Sequence, residues 1–285
     1  MGNRISKFKK KIFINDINDN HKHCETTISN TGFPVVDNEL DEEKRHHELM
    51  VNIWNSTFSS PVESILKHGN AKVLDIGCGF GVWIYDMALN YPLSHFTGID
   101  IITPKDTLLS NVRLIQADVL KGLKYSDCSF DYIHSRDLFW YITTKDASKL
   151  FPDLLRILKP GGWIESVEYV TEITNPGPNT KFLTDTLSSY LRNHGVCPDG
   201  FYKNLSKLFK ENNLEYQIEE KVIYISDSEV TAKKFLIVFK MVKSVILEYT
   251  SIGSEKYDEI LDKVSAELIE YKSYVRSLRH FGKKL

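Results

Sequence analysis

No two of the four cysteines stand in a Cys-x-x-Cys pair: Cys24, Cys78, Cys128 and Cys197 are scattered through 285 residues. That excludes a disulfide framework and a structural zinc site, and fits a reducing compartment. Neither sign of charge is in excess. A formal net charge of −2 gives no electrostatic case for nucleic acid as a partner. Long hydrophobic runs are missing too. The most apolar stretch, 235–249, is interrupted by Lys240 and Lys243. It falls short of the ~20 residues that span a bilayer and reads as a buried helix. The first twenty residues lack a continuous apolar stretch, so no secretory signal is expected. No internal repeat is visible. What remains is 42% apolar and 26% charged, the balance of an ordinary soluble chain long enough for one large domain or two small ones.

Residues 1–38 lack hydrophobic period: a basic head, a run of Asn and Asp at 15–20, then a Thr/Ser/Asn-rich segment. We read them as a flexible arm. A helix beginning near 37–39 carries Leu49, Met50, Ile53 and Trp54 on one face, and Ser59-Ser60-Pro61 breaks it and opens another with Pro in its first turn. From Lys72 onward short apolar runs alternate with helical patterns. Strands are predicted at 72–76, 95–99, 112–116, 130–134 and 162–168, and helices at 82–89 and 147–158. Such alternation predicts βαβ units and a parallel sheet covered on both faces. Beyond 168 the rhythm changes. Helices are predicted at 181–193 and 202–212, a strand at 216–225, long helices at 230–250 and 254–272, and a final strand over 273–281.

Asp75-Ile76-Gly77-Cys78-Gly79-Phe80-Gly81 places three glycines where a strand turns into a helix. Glycine there lets the backbone bend tightly and a ligand approach the amides of the helix start. A nicotinamide fingerprint needs Gly-x-Gly-x-x-Gly, but position 82 is Val. Asp100 ends the second strand about 20 residues on, where a carboxylate can accept both hydroxyls of a ribose, or simply cap a helix. Asp118 follows the third strand in Gln116-Ala117-Asp118-Val119.

In these motifs the chain resembles the class I S-adenosylmethionine (SAM)-dependent methyltransferases, whose first motif is an acidic residue followed by Gly-x-Gly-x-Gly. The resemblance implies an α/β fold: a Rossmann-like, seven-stranded, doubly wound sheet with an antiparallel last strand and a helical insertion, at about 226–272 of a domain covering 39–285. It implies SAM as cofactor, held by Asp75, Gly77, Cys78, Gly79 and Gly81. Asp100 and Ile101 would take the ribose, Asp118 and Val119 the adenine, and His134 and Ser135 would lie under the cofactor. Leu155-Arg156-Ile157-Leu158-Lys159-Pro160-Gly161-Gly162-Trp163 looks like the family's turn into its fifth strand, and is good helix-stop chemistry in its own right. A looser likeness extends to fungal methyltransferases of the secondary-metabolism-regulator and trans-aconitate-like type. It rests on Asp41-Glu42-Glu43-Lys44-Arg45-His46-His47 before the first strand and on Gly282-Lys283 near the end.

Methyl transfer rests mainly on positioning and exclusion of water, with a base needed only if the acceptor must lose a proton. His134 is the candidate base, although a structural histidine at a strand end is the more common case. The acceptor, a small molecule or a protein, is not legible. Its pocket is expected among residues 138–141, the helix at 39–56 and the helical insertion. The Asn/Asp-Pro-Pro-Tyr/Phe signature of amino-methyltransferases is replaced by His134-Ser135-Arg136-Asp137, against a nucleic-acid base methylase. His21-Lys22-His23-Cys24 lacks partners at zinc spacing, so no metal is expected. The other readings are a SAM-binding regulator without turnover and a NAD-dependent oxidoreductase.

Met1-Gly2-Asn3-Arg4-Ile5-Ser6 fits the N-myristoylation pattern at Gly2. One myristoyl chain gives only about 10⁴ M⁻¹ of membrane affinity. Lys7, Lys9, Lys10 and Lys11 would add a second signal of ~1 kcal/mol per basic residue at an anionic surface. The expectation is a cytoplasmic protein with peripheral membrane contact through residues 2–13, a lysine-rich nuclear signal being the alternative.

Overall fold

The computed structural model describes residues 27–28, 34–35, 39–103, 107, 109–170, 172–196, 201–227 and 229–285. The basic head, Gly2 and the His21–Cys24 cluster lie outside them. Of the arm only a two-residue ladder is described, Thr27–Ile28 antiparallel to Pro34–Val35.

The sheet strands are β1 (Lys72–Ile76), β2 (His95–Asp100), β3 (Val112–Gln116), β4 (Phe130–Arg136), β5 (Leu158–Tyr169), β6 (Leu214–Tyr224) and β7 (Tyr274–Lys284). They form one seven-stranded sheet in the order β3-β2-β1-β4-β5-β7-β6. The first five pair in parallel, while β7 runs antiparallel between β5 and β6. The expected doubly wound fold with an antiparallel last strand is therefore present. Its strand order reverses between β1 and β4, the point at which open α/β sheets leave a crevice for ligands.

The helices are α1 (Glu39–Trp54), α2 (Glu63–His68), α3 (Val82–Asn90), α4 (Thr144–Ile157), α5 (Pro178–Asn193), α6 (Phe201–Glu211), α7 (Glu229–Met241), α8 (Lys243–Thr250) and α9 (Ser254–Glu270). Helix α4 shows why the sequence pattern worked. Ala147, Leu150, Phe151, Leu154 and Ile157 repeat at three- and four-residue intervals and all are buried. Thr143 caps its start, accepting from the Asp146 amide at 3.1 Å. At its other end Lys284 donates to the carbonyls of Leu155 and Leu158 at 2.7 and 2.8 Å, tying the last strand to the helix terminus.

Three boundaries differ from the sequence reading. Strand β5 begins at Leu158 and takes in the Pro-Gly-Gly turn, with a register shift opposite Phe130 and Tyr132. Pro61 precedes α2 by two residues, Val62 being the cap, rather than lying in its first turn. The single long helix expected at 230–250 is two, α7 and α8, broken at Val242. Val242 is fully buried in the apolar cluster that α5 and α7–α9 build beyond the sheet edge, with Leu183, Phe239, Ile246, Tyr257 and Val264. Packing against that cluster redirects a chain whose local pattern reads as one helix.

Glu165 of β5 fastens the α1–α2 connection to the sheet. Fully buried, it accepts from the Ser59 amide at 2.9 and 3.0 Å, the Ser60 amide at 2.8 Å and the Tyr132 hydroxyl at 3.0 Å. Arg279, over the Trp54 ring at 4.4 Å, places its Nε 3.8 Å away. Glu165→Ala strands two buried amides and the Tyr132 hydroxyl, and is expected to destabilise the fold by about 3 kcal/mol, read as a lower urea midpoint at unchanged m-value.

Candidate cofactor and acceptor site

Strand register gathers the site. Asp75 of β1 lies opposite His134 of β4, which in turn lies opposite Glu165 of β5. These side chains share one row on one buried face of the sheet. His134 Nδ1 stands 2.8 Å from Asp75 Oδ1, and its ring stacks on Trp83 of α3 at 3.8 Å and 3°. Burial pushes Asp75 up to about 8, opposed by the charge of Arg136. Burial also drives His134 well below its ordinary value. The pair is thus a hydrogen bond between a neutral imidazole and a carboxyl held near neutrality, not an ion pair.

Above this row the loop after β1 turns into α3. Its first amides do not wait for a local cap: Gly81, at φ 85°, offers no side chain. Glu43 of α1 reaches across instead, accepting from the amides of Phe80 at 2.8 Å and Val82 at 3.0 Å. A Cβ at Gly79, whose φ is +54°, would stand 2.7 Å from Glu43 Oε2. Glycine is therefore demanded twice, by conformation and by the carboxylate pressed against it. Burial raises Glu43 to about 7 against the pull of those amides and Arg136.

Gly77 and Cys78 donate to the carbonyl of Ile99 at 2.9 and 3.2 Å, closing the loop onto the end of β2. Asp100, raised by burial, accepts from the Gly79 amide at 2.9 Å and the Ile102 amide at 3.1 Å. Asp118 accepts from Leu120 at 2.9 Å, capping a short 3₁₀ turn (Val119–Lys121), while its other oxygen lies 3.8 Å from Lys121. Each carboxylate has about four acceptor positions, so these contacts orient both and leave lone pairs for a ligand.

These groups line a cavity of about 440 Å³ at the carboxyl ends of β1–β4. Of the residues expected at the cofactor, Asp75, Gly77, Cys78, Gly79, Asp100, Ile101, Asp118, Val119 and His134 border it. Two do not. Gly81 serves as the turn into α3, and Ser135 points to the other face of the sheet, donating to Ser166 at 3.1 Å. Strand alternation explains the latter, since His134 already occupies the near face. The cavity also takes in Glu43, His46 and Tyr141, which come from the helix and the 138–141 segment expected to form the acceptor pocket, and Trp83, Arg136 and Asp137, which were assigned to neither ligand. Arg136 donates to His47 Nδ1 at 3.1 Å, and His47 Nε2 stands 3.0 Å from Asp86 of α3. Arginine can only donate, so the ring proton of His47 sits on Nε2.

The cavity fits SAM in its donor set: amides and a glycine cradle at the loop, carboxylates after β2 and β3, and apolar walls from Ile99, Ile101 and Leu138. Comparison with known proteins agrees. Residues 73–162 match the family described as "Methyltransferase domain". Over this segment the chain is similar to the class I SAM-dependent methyltransferases. It is similar to N-methyltransferase verN of Clonostachys rogersoniana, 26% identical over 254 residues, covering 84% of this chain and 87% of the relative. It is also similar to the secondary metabolism regulator laeA of Coprinopsis cinerea, 32% identical over 141 residues. There the match covers 48% of this chain and 35% of the relative, so the chain spans about a third of that protein's length. Among solved structures, a Galdieria sulphuraria protein described as a sarcosine dimethylglycine methyltransferase shares the fold, at TM-score 0.50 and 18% identity, covering 86% of this chain and 88% of that one. Haemonchus contortus phosphoethanolamine N-methyltransferase 2 does so at TM-score 0.50 and 19% identity, covering 81% and 53%.

Glu43 and Asp75 carry a pH signature. Both are raised in the fold above ordinary carboxylate values. At these two carboxyls the folded state binds more protons than the unfolded chain between about pH 4.5 and 8, so their contribution to stability falls as pH rises through that window. The buried His46 and His134, held below their ordinary values, act in the opposite sense up to about pH 6.5. Cofactor-free protein should lose on the order of 2 kcal/mol between pH 6.5 and 8 in urea titrations, and Glu43→Gln should flatten part of that slope.

Proposed function

We propose that this chain methylates a nitrogen atom of a small-molecule or protein acceptor, with SAM as methyl donor. The observation that carries this reading is the cavity itself. The loop glycines, Asp100 and Asp118 line it together with Glu43, and His46, Asp137 and Tyr141 line the same cavity with the row of Asp75 and His134. When bound, SAM supplies an electrophilic methyl on a sulfonium. The chain's own residues hold that cation near carboxylates, exclude water with apolar walls, and aim the acceptor. Two features support nitrogen. Asp137, beside His46 on the cavity wall, offers a carboxyl suited to an amine, and verN, similar to this chain along most of its length, is named an N-methyltransferase.

Calorimetry is expected to show binding of SAM and none of NAD, with Asp100→Asn weakening SAM roughly 10-fold or more. Transfer of a labelled methyl group to an amine panel tests turnover. Binding without transfer to any acceptor would favour a SAM-sensing regulator instead.

We further propose that the segment headed by Gly2, outside the described residues, tethers the enzyme to an anionic membrane surface through myristate and Lys7–Lys11 acting together. No helix among the described residues is long and apolar enough to cross a membrane. Gly2→Ala is expected to move the protein from the membrane to the soluble fraction. Equal partition of both forms would sink the tether.

A further inference from the structure

The structure assigns Asp137 as the carboxylate that receives the acceptor's nitrogen and takes its proton, which makes the acceptor an amine that arrives in its protonated form. The assignment rests on the methyltransferase reading above and deepens it.

Asp137 stands at the cap position of the 3₁₀ turn Leu138–Trp140, where an aspartate ordinarily accepts the turn's first amides. It makes no such bond. Glu168 of β5 takes the amides of Leu138 and Phe139 instead. Asp137 is thereby relieved of the structural task its position suggests, and its side chain borders the cavity. Its Oδ1 is buried with no hydrogen-bond partner among the described residues. Its backbone sits in the left-handed region, at φ 55° and ψ 21°, held by the bond from its amide to the Val167 carbonyl at 2.9 Å. A non-glycine residue kept in that conformation with an unsatisfied oxygen beside a cavity is the pattern of a group positioned for a ligand.

The surroundings favour an amine. From α1, His46 places Nε2 3.4 Å from Asp137 Oδ2, its ring kept uncharged by burial, and it packs on Tyr169 with centroids 5.5 Å apart. Tyr141 adds another aromatic wall. Of the charged and titratable groups that face Asp137, Arg136 of β4 draws the Asp137 carboxyl down, while burial raises the Glu168 carboxyl and the Tyr169 hydroxyl of β5 above their ordinary values. A carboxyl among aromatic rings suits an ammonium group. Burial raises Asp137 to about 7, against Arg136 and the Tyr169 amide, so it can both lose and regain a proton near neutrality.

The step balances. The substrate ammonium gives one proton to the Asp137 carboxylate. The freed nitrogen lone pair forms the new N–CH₃ bond as the C–S bond breaks, and that electron pair stays on sulfur. The methylated amine leaves as its ammonium form, and Asp137, with 24% of its side chain exposed, passes the proton to water.

The test uses the full chain saturated with S-adenosylhomocysteine and pairs benzylamine, tryptamine and butylamine with benzyl alcohol, tryptophol and butanol. At least one amine is expected to bind wild type 10-fold or more tightly than its alcohol. That preference should vanish in Asp137→Asn and return in part in Asp137→Glu. Labelled-methyl transfer to the preferred amine should rise with pH through about 7 in wild type and lose that limb in Asp137→Asn. Unchanged S-adenosylhomocysteine affinity in the variants shows the fold intact. An absent amine preference in wild type, or one that persists in Asp137→Asn, overturns the assignment. Failure of wild type to bind S-adenosylhomocysteine would instead overturn the methyltransferase reading, and the assignment with it.

Discussion

Burying ionisable groups side by side on a sheet face is the constraint on which this structure turns. Asp75, His134 and Glu165 occupy one row across β1, β4 and β5. Unpaired, such groups would cost several kcal/mol each. The fold answers each of them differently. Asp75 and His134 share a hydrogen bond and stay close to neutral; Glu165 is surrounded by amides, a tyrosine hydroxyl and Arg279. Trp83 covers the imidazole, which ties α3 to the row, and its indole donates to the Thr57 carbonyl at 2.9 Å, which ties in the α1–α2 connection. The elements around the cavity are thus held by what the row requires.

A second theme is that helices here are capped from afar. The start of α3 is satisfied by Glu43 of α1. The start of α5 is satisfied by Glu267 of α9, which accepts from the amides of Asn179 at 3.0 Å and Thr180 at 2.8 Å. The same chemistry has opposite electrostatic outcomes. For Glu267 the burial penalty is outweighed by amides and side-chain donors, and it lies below its ordinary value. Glu43, deeper and close to Asp100, is raised. One carboxylate is a settled clamp and the other is poised beside a ligand cavity.

Much of the fold was legible because local rules and tertiary packing agree. Strands β1 and β3 fall where the apolar runs placed them, and Gly77, Gly79, Asp100 and Asp118 border one cavity as the resemblance to methyltransferases implied. What stayed hidden depends on residues distant in the chain. The break at Val242 follows from packing in a cluster whose members come from several helices. Glu43 and His46 were visible only as part of a charged stretch, since nothing local says which side chain of α1 will face a loop 37 residues away. Asp137 carries no local signal, since what frees its carboxyl is the capping of the following turn by Glu168, a residue distant in the chain. Ser135 was misplaced because the family motif is contiguous while a strand shows only alternate residues to one face.

The chain of contacts from Asp86 through His47 to Arg136 also constrains how this protein can diverge. Arg136 can only give hydrogen bonds, so His47 accepts on Nδ1 and carries its proton on Nε2, toward the Asp86 carboxyl. Any replacement of His47 that only donates leaves Arg136 facing a like partner, and any that only accepts does the same to Asp86. The three positions, on α1, α3 and β4, therefore form a single heritable unit. Drift at one of them is tolerated only alongside compensating change at the others.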